Sequence, residues 1–182
     1  LGPEQSGFML SVGYDMYLRL LEEAVLTEQG QTVEKPAGCS ADLSVSANIP
    51  DRYVPSAEQR MDLYRRIAAI RSESDADDLV DELIDRYGEP PRPVNNLISV
   101  ALLRCAASSA GITDISQKAG CLLFSMPKFD LAAVSALCAS SKYKGRLLFA
   151  AGDKPYLSLR LRKGEDPLKA AQQVVDDHGK EN

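Results

Sequence analysis

RLLFAAGDKPYLSLRLR, residues 146–162, is two short apolar runs hinged on Gly152-Asp153-Lys154-Pro155. Arg146–Ala151 and Tyr156–Arg162 each have the length and the Leu/Phe/Tyr content of a strand, and the segment between them is made of turn formers, so the stretch reads as a strand pair. Working outward, Cys121–Met126 (CLLFSM) is another strand and Ile112–Ile115 a shorter one. Between them and the pair lies a helix over Asp130–Ser141, with Leu131, Val134 and Leu137 facing inward. Strands here adjoin strands instead of alternating strictly with helices. That pattern predicts an α+β fold, helices packed on a small, mainly antiparallel sheet, and not a doubly wound parallel one.

Beyond the pair, Asp166-Pro167 starts a helix, Asp as cap and Pro at the first helical position. Leu168, Ala171, Val174 and Val175 face inward until Gly179 stops it. On the other side, Val94, Leu97, Ile98, Ala101, Leu102 and Cys105 mark a helix ending at Gly111. Before that, Asp75 reads as the cap of a helix carrying Leu79, Val80, Leu83, Ile84 and Tyr87, broken by Gly88 and GEPPRP. Ser56 with Gln59 three residues on has the capping-box spacing, ahead of Leu63, Tyr64, Ile67 and Ile70. Asp42–Ile49 alternates polar and apolar residues, which predicts a half-buried strand ended by Pro50. Earlier still, Tyr14, Tyr17, Leu18, Leu21 and Val25 form a helical stripe. The expected organisation is a helical extension over 1–28, a linker over 29–40 and a domain over 41–182.

The chain has 182 residues, 45% hydrophobic and 26% charged, which is enough for a buried core. Its 26 acids against 21 basic residues give a net charge of −5, which argues against a chain that grips phosphate backbones, since such binding needs clustered basic surface. No apolar run approaches the roughly 20 residues that span a bilayer. LGPEQSGFML has neither the basic nor the apolar region of a signal peptide and reads as the interior of a longer chain. Cys39, Cys105, Cys121 and Cys138 form no CxxC pair and read as free thiols in a reducing compartment, the cytoplasm. His178, the single histidine, reads as an exposed residue near a fraying helix end.

Motifs for catalysis are missing: there is no GxxxxGKS/T loop and no GxGxxG at a strand-to-helix junction. The densest charge cluster runs from Glu73 to Asp85. Residues three and four apart share a helix face, so Asp78, Asp81, Glu82 and Asp85 line one acidic ridge. Three readings compete for it: a solvated face, a docking surface for a partner's arginines through bidentate pairs, and a metal site, which would lack an ordered DxDxDG-type loop. Basic residues look scattered, with Arg60, Arg65, Arg66 and Arg71 on one helix and Arg160, Arg162 and Lys163 near the last strand. Arg65 and Arg66 are expected to snorkel or to pair with nearby acids.

Four segments in order carry a family resemblance: LGPEQSG with VGYDMYLRLLEEAV (1–7 and 12–25), DLSVSANIPDRYVP (42–55), RMDLYRRIA (60–68) and DELIDRYGEPPRPVNNLI (81–98). Together they resemble the C-terminal part of transcription-repair coupling factors, the first being similar to the end of a RecG-like translocase module. The resemblance implies a parent that is an ATP-driven translocase on double-stranded DNA, with ATP and magnesium bound upstream and no cofactor on these residues. It implies a regulatory, autoinhibitory domain that docks on a UvrB-like module of the same polypeptide. That docking masks the UvrA-binding face until stalled RNA polymerase is engaged. The family's ELIDR(F/Y)G motif supplies an acidic pair to this contact, and the matching positions are Glu82 and Asp85, with Asp81 and Asp78 beside them. DNA would be contacted through the parent translocase only, no membrane is expected, and residues 1–28 are expected to promote self-association. The rival readings are a small acid-pair hydrolase, a nucleic-acid-binding accessory domain and a structural lid on the translocase.

Overall fold

The computed structural model describes residues 38–181, so the helical extension expected over 1–28 and most of the linker expected over 29–40 lie outside the described residues. In chain order the elements are β1 (Ser40–Asp42), α1 (Ala57–Ala68), α2 (Glu73–Tyr87), α3 (Arg92–Ser109), β2 (Asp114–Lys118) and β3 (Cys121–Ser125). They continue with α4 (Leu131–Ala139), β4 (Leu147–Ala150), β5 (Tyr156–Arg160) and α5 (Pro167–Glu181). The fold is α+β, as the adjoining strands predict. The chain divides into two compact units, one holding Val45–Leu102 and the other Gly38–Ser44 with the residues from Leu103 onward. The helix α3 changes unit at Leu102.

The first unit is helical. Leu63, Tyr64 and Ile67 of α1, Ala76, Leu79 and Leu83 of α2, and Val94, Leu97 and Ile98 of α3 are buried. Ser56 caps α1 by accepting from the Gln59 amide at 3.3 Å. The cap of α2 is Ser72, not Asp75: Ser72 Oγ accepts from the Asp75 amide at 3.1 Å, and Asp75 reaches back to accept from the Arg71 amide at 2.9 Å. Asp75 therefore sits in the first turn, where a carboxylate also suits the helix's positive end.

The second unit is built on a five-stranded sheet in the order β1-β2-β3-β5-β4, with β1 parallel to β2 and every other pair antiparallel. Ile115, Leu122, Phe124, Leu157, Leu159 and Leu147 form its buried face. Val134 and Leu137 of α4 and Leu168, Ala171, Val174 and Val175 of α5 are buried as well. The ladder pairs Lys118 with Cys121, which leaves a two-residue turn, Ala119-Gly120. Both have positive φ, at 51° and 76°, the twist that a tight hairpin requires.

Four further expectations change. The strand expected over Asp42–Ile49 is only Ser40–Asp42, because side chains take over the backbone groups that follow. Gln117 Oε1 accepts from the Ser44 amide, Asn96 Nδ2 donates to the Ser46 carbonyl, and Tyr64 Oη accepts from the Ile49 amide. Alternating burial thus persists without a ladder. Ile112 is a helix cap and not a strand residue, since its amide donates to the Ala107 carbonyl at 2.9 Å past Gly111. Leu131 is 61% exposed, because it lies about 110° around α4 from the centre of the arc of Ala133, Val134 and Leu137. The helix α5 runs through Gly179, which carries His178 into the interior.

Candidate functional site

On α2, positions 78, 81, 82 and 85 fall within an arc of about 100°, away from the buried side marked by Ala76, Leu79 and Leu83. Asp78, Asp81 and Asp85 are exposed, and Glu82 is half-buried. The helix therefore brings together all four carboxylates expected of the ridge. Among the described residues Asp78, Asp81 and Asp85 have no ion pair.

Glu82 differs. Its Oε2 accepts from Arg66 Nη2 of α1, and its Oε1 lies 3.8 Å from Arg86 Nη1, one turn on. The hydrogen bond from Arg66 holds the Glu82 carboxyl below the usual carboxylate range; partial burial opposes this, and the charges of Arg66 and Arg86 add to it. Arg66 thus pairs with a nearby acid, as one of its two expected roles.

Arg86 in turn stands over the Tyr87 ring, its guanidinium carbon 5.1 Å from the centroid. Tyr87 donates to Gln59 Oε1 at 3.0 Å, so the capping-box glutamine is spent on a tyrosine instead of on its own helix start. The Tyr53 ring packs against Tyr87 at 5.7 Å between centroids, and its hydroxyl donates to the Gly88 carbonyl at 2.8 Å. Burial, then the charge of Glu89, raises the Tyr53 phenol above its ordinary range. A shallow groove lined by Gln59, Leu63, Arg66, Glu82, Arg86 and Tyr87 results. Arg86 was legible from its i,i+4 spacing to Glu82; the tyrosine pair carried no sequence signal. Chemically, the surface can accept guanidinium groups. Among the described residues, no three or more His, Cys, Asp or Glu side chains converge to hold a metal.

His178 corrects the expectation of an exposed residue: it is 2% exposed. Burial lowers its pKa from 6.5, against a hydrogen bond with the Ala110 backbone. The stripe Leu168, Ala171, Val175 continues at helical spacing to 178, and this was the available signal. The four cysteines are free thiols, Cys39 buried and the others half-buried, and burial raises the Cys138 thiol.

Comparison with known proteins decides the lineage. The family model of the TRCF domain matches residues 43–135, about half of the chain. The chain belongs to the TRCF domain family. The resemblance read from residues 42–98 falls almost wholly within the match, and so does the acidic ridge. Transcription-repair-coupling factors of Mycobacterium tuberculosis, Bacillus subtilis and Escherichia coli K12 are 42%, 33% and 34% identical over 127, 118 and 139 residues. These alignments cover 64%, 64% and 68% of this chain. The TRCF chain spans only 10–11% of the length of those relatives. A crystal structure of the C-terminal domain of a transcription-repair coupling factor shares the fold, with a TM-score of 0.68 at 18% identity. It covers 80% of this chain and 96% of that one. Among the described residues no helix is long and apolar enough to cross a membrane.

Proposed function

We propose that this TRCF domain is an autoinhibitory plug. The exposed face of α2, with Asp78, Asp81, Glu82 and Asp85, docks on arginines of a UvrB-like module in the same polypeptide and masks the surface that UvrA would use. Engagement of stalled RNA polymerase releases it. The observation that supports this reading is the row of exposed carboxylates on one rigid helix, in which Asp78, Asp81 and Asp85 have no ion pair among the described residues. Glu82 is already oriented by Arg66, while Arg86 at 3.8 Å is a loose partner that an incoming guanidinium can replace. No catalytic step is assigned to these residues; ATP and magnesium chemistry belongs to the parent translocase upstream.

Such a plug is a two-state element, and only a difference in affinity between the states moves it. A coupling of about 1–3 kcal/mol between docking and UvrA binding shifts affinity by about 5- to 150-fold. In the intact coupling factor, Glu82→Ala with Asp85→Ala is expected to raise UvrA binding in the absence of RNA polymerase. The separate chain carrying the same pair is expected to lose affinity for the isolated UvrB-like module. Unchanged UvrA binding in the double variant, with docking also unchanged, overturns the role of this face. Asp81→Ala with Asp85→Ala repeats the test without touching the Arg66 pair.

A further inference from the structure

The net charge of −5 conceals a separation. Residues 45–102 carry eleven acids and seven arginines, whereas the second unit carries twelve basic residues and nine acids. Sheet topology then concentrates the excess. In the antiparallel ladder β2 ends, β3 begins, β5 ends and β4 begins at one edge of the sheet. Lys118, Arg160, Arg162, Lys163, Lys142, Lys144 and Arg146 all lie there, drawn from three separate segments of the sequence.

The register makes this a built surface. Lys118 pairs with Cys121 and Cys121 with Arg160, so the Lys118 and Arg160 side chains point to the same face, about 10 Å apart across two strand spacings. Arg146 follows in the same row, its carbonyl accepting from the Arg160 amide at 2.9 Å. The Leu161 amide donates to the Gly120 carbonyl at 2.9 Å, tying the Arg162-Lys163 turn to the β2–β3 turn. Of the seven cations, Lys142 is paired with Asp177 and Arg146 with Glu165. Asp166 accepts from the Leu168 amide, and Asp176 contributes one more negative charge nearby. Lys118, Lys144, Arg160, Arg162 and Lys163 are exposed and have no ion pair among the described residues.

We propose that this edge of the sheet binds the phosphate backbone of duplex DNA. Five unneutralised cations, on strand ends and the turns beside them, fit a row of phosphates. Among the described residues one large apolar side chain stands beside the row, Leu148 of β4, 59% exposed on the same face as Arg146. A single such side chain does not make the apolar centre of a protein interface. The edge offers no exposed aromatic on which an unpaired base could stack: Phe129 and Tyr156, 39% exposed each, follow the end of β3 and open β5 at the opposite edge. The contact is therefore to backbone and is indifferent to sequence. Screening over about 10 Å at 0.1 M salt makes the patch act locally, whatever the sign of the whole chain.

The test is fluorescence anisotropy of the whole chain on a labelled duplex, repeated across a salt series. If three to five phosphates are neutralised, log K falls against log salt with a slope of about −2.7 to −4.5, so that affinity drops about 20- to 140-fold from 50 to 150 mM. The variant Lys118→Glu/Arg160→Glu/Arg162→Glu/Lys163→Glu is expected to lose binding at least tenfold. Reversal of Lys128 and Lys154, which lie at the opposite end of the strands, should change it less than twofold. Arg162→Glu/Lys163→Glu repeats the test with no strand residue altered. Three results overturn the proposal: no salt-dependent binding, equal loss in the two sets of reversals, or a poly-glutamate competitor that displaces the chain as well as unlabelled duplex does. The last would point to an acidic protein surface instead.

Discussion

Asp177 on α5 joins two neighbours that precede β4. Its Oδ2 accepts from Lys142 Nζ at 2.8 Å and from the Tyr143 hydroxyl. Tyr143 is 3% exposed, and burial, with the carboxylate beside it, drives its phenol well above the ordinary range. Burial alone would raise the Asp177 carboxyl, yet the hydrogen bonds from Lys142 and Tyr143 outweigh it and hold it below 3.8. Asp177→Ala leaves a buried hydroxyl without this acceptor, which costs about 1–3 kcal/mol. The Lys142 pair, its lysine 44% exposed, adds at most about 1 kcal/mol. Tyr143→Phe removes the donor and costs only about 0.5–1.5 kcal/mol, because the carboxylate keeps Lys142 and some water. The double variant should therefore cost less than the sum of the singles, by about 1–2 kcal/mol. Urea unfolding followed by circular dichroism measures all four proteins. A group whose folded pKa is depressed stabilises above its unfolded value, so the difference between wild type and Asp177→Ala should be full at neutral pH and fade as pH falls through the folded pKa, below 3.8. Strict additivity of the two substitutions, or a pH-independent difference, would refute the argument.

Arg66→Ala should move the Glu82 carboxyl titration, followed by NMR, upward toward the usual carboxylate range; no movement would mean that the pair does not form in solution. Phe124→Ala, at a fully buried position on the sheet's inner face, is expected to cost about 3–5 kcal/mol, read as a lower urea midpoint of the transition that reports on the second unit. Burial lowers the His178 pKa below its ordinary 6.5, so as pH falls below 6.5 the unfolded chain binds the proton more readily than the folded one and stability should fall. His178→Gln should flatten the stability profile below pH 6.5 relative to wild type.

Element types were legible because apolar spacing reports burial, and burial decides them here. The strand pair around Gly152–Pro155 follows from apolar content and turn formers, the start at Asp166-Pro167 from cap chemistry, and the stripe of α2 from period. What failed were choices between backbone and side-chain partners. Nothing in the alternation of Asp42–Ile49 says that Gln117, Asn96 and Tyr64, far along the chain, will satisfy its amides and carbonyls in place of a neighbouring strand. Ser72 and Asp75 both satisfy the grammar of a helix start, and the three-residue error arose because each bonds an amide, one as cap and one reaching back. Gly179 lies in a helix because Val174, Val175 and His178 around it are buried, and that packing outweighs the roughly 1 kcal/mol that glycine costs in a helix interior. The ridge was visible because its four acids lie within eight residues of one helix. The engagement of Glu82 by Arg66 was visible only as one of several possible pairings.

Net charge illustrates how a correct sum misleads about surfaces. A balance of 26 acids to 21 basic residues argues against phosphate binding only if charge is spread evenly, and screening makes the relevant distance about 10 Å, not the width of the molecule. Acids on α2 are neighbours in sequence because a helix stacks positions three and four apart. Cations at the sheet edge are neighbours only through the ladder, since Lys118, Lys144 and Arg160 stand far apart along the chain and meet where β2, β4 and β5 turn. A linear reading therefore finds the acidic face and misses the basic one. The consequence is quantitative: neutralising the α2 ridge should leave the salt slope of duplex binding unchanged, while reversing the sheet-edge cations should leave docking on the UvrB-like module unchanged. If either set of substitutions disturbed both measurements, the two charge surfaces would not be the independent sites that the distribution of charge between the units implies.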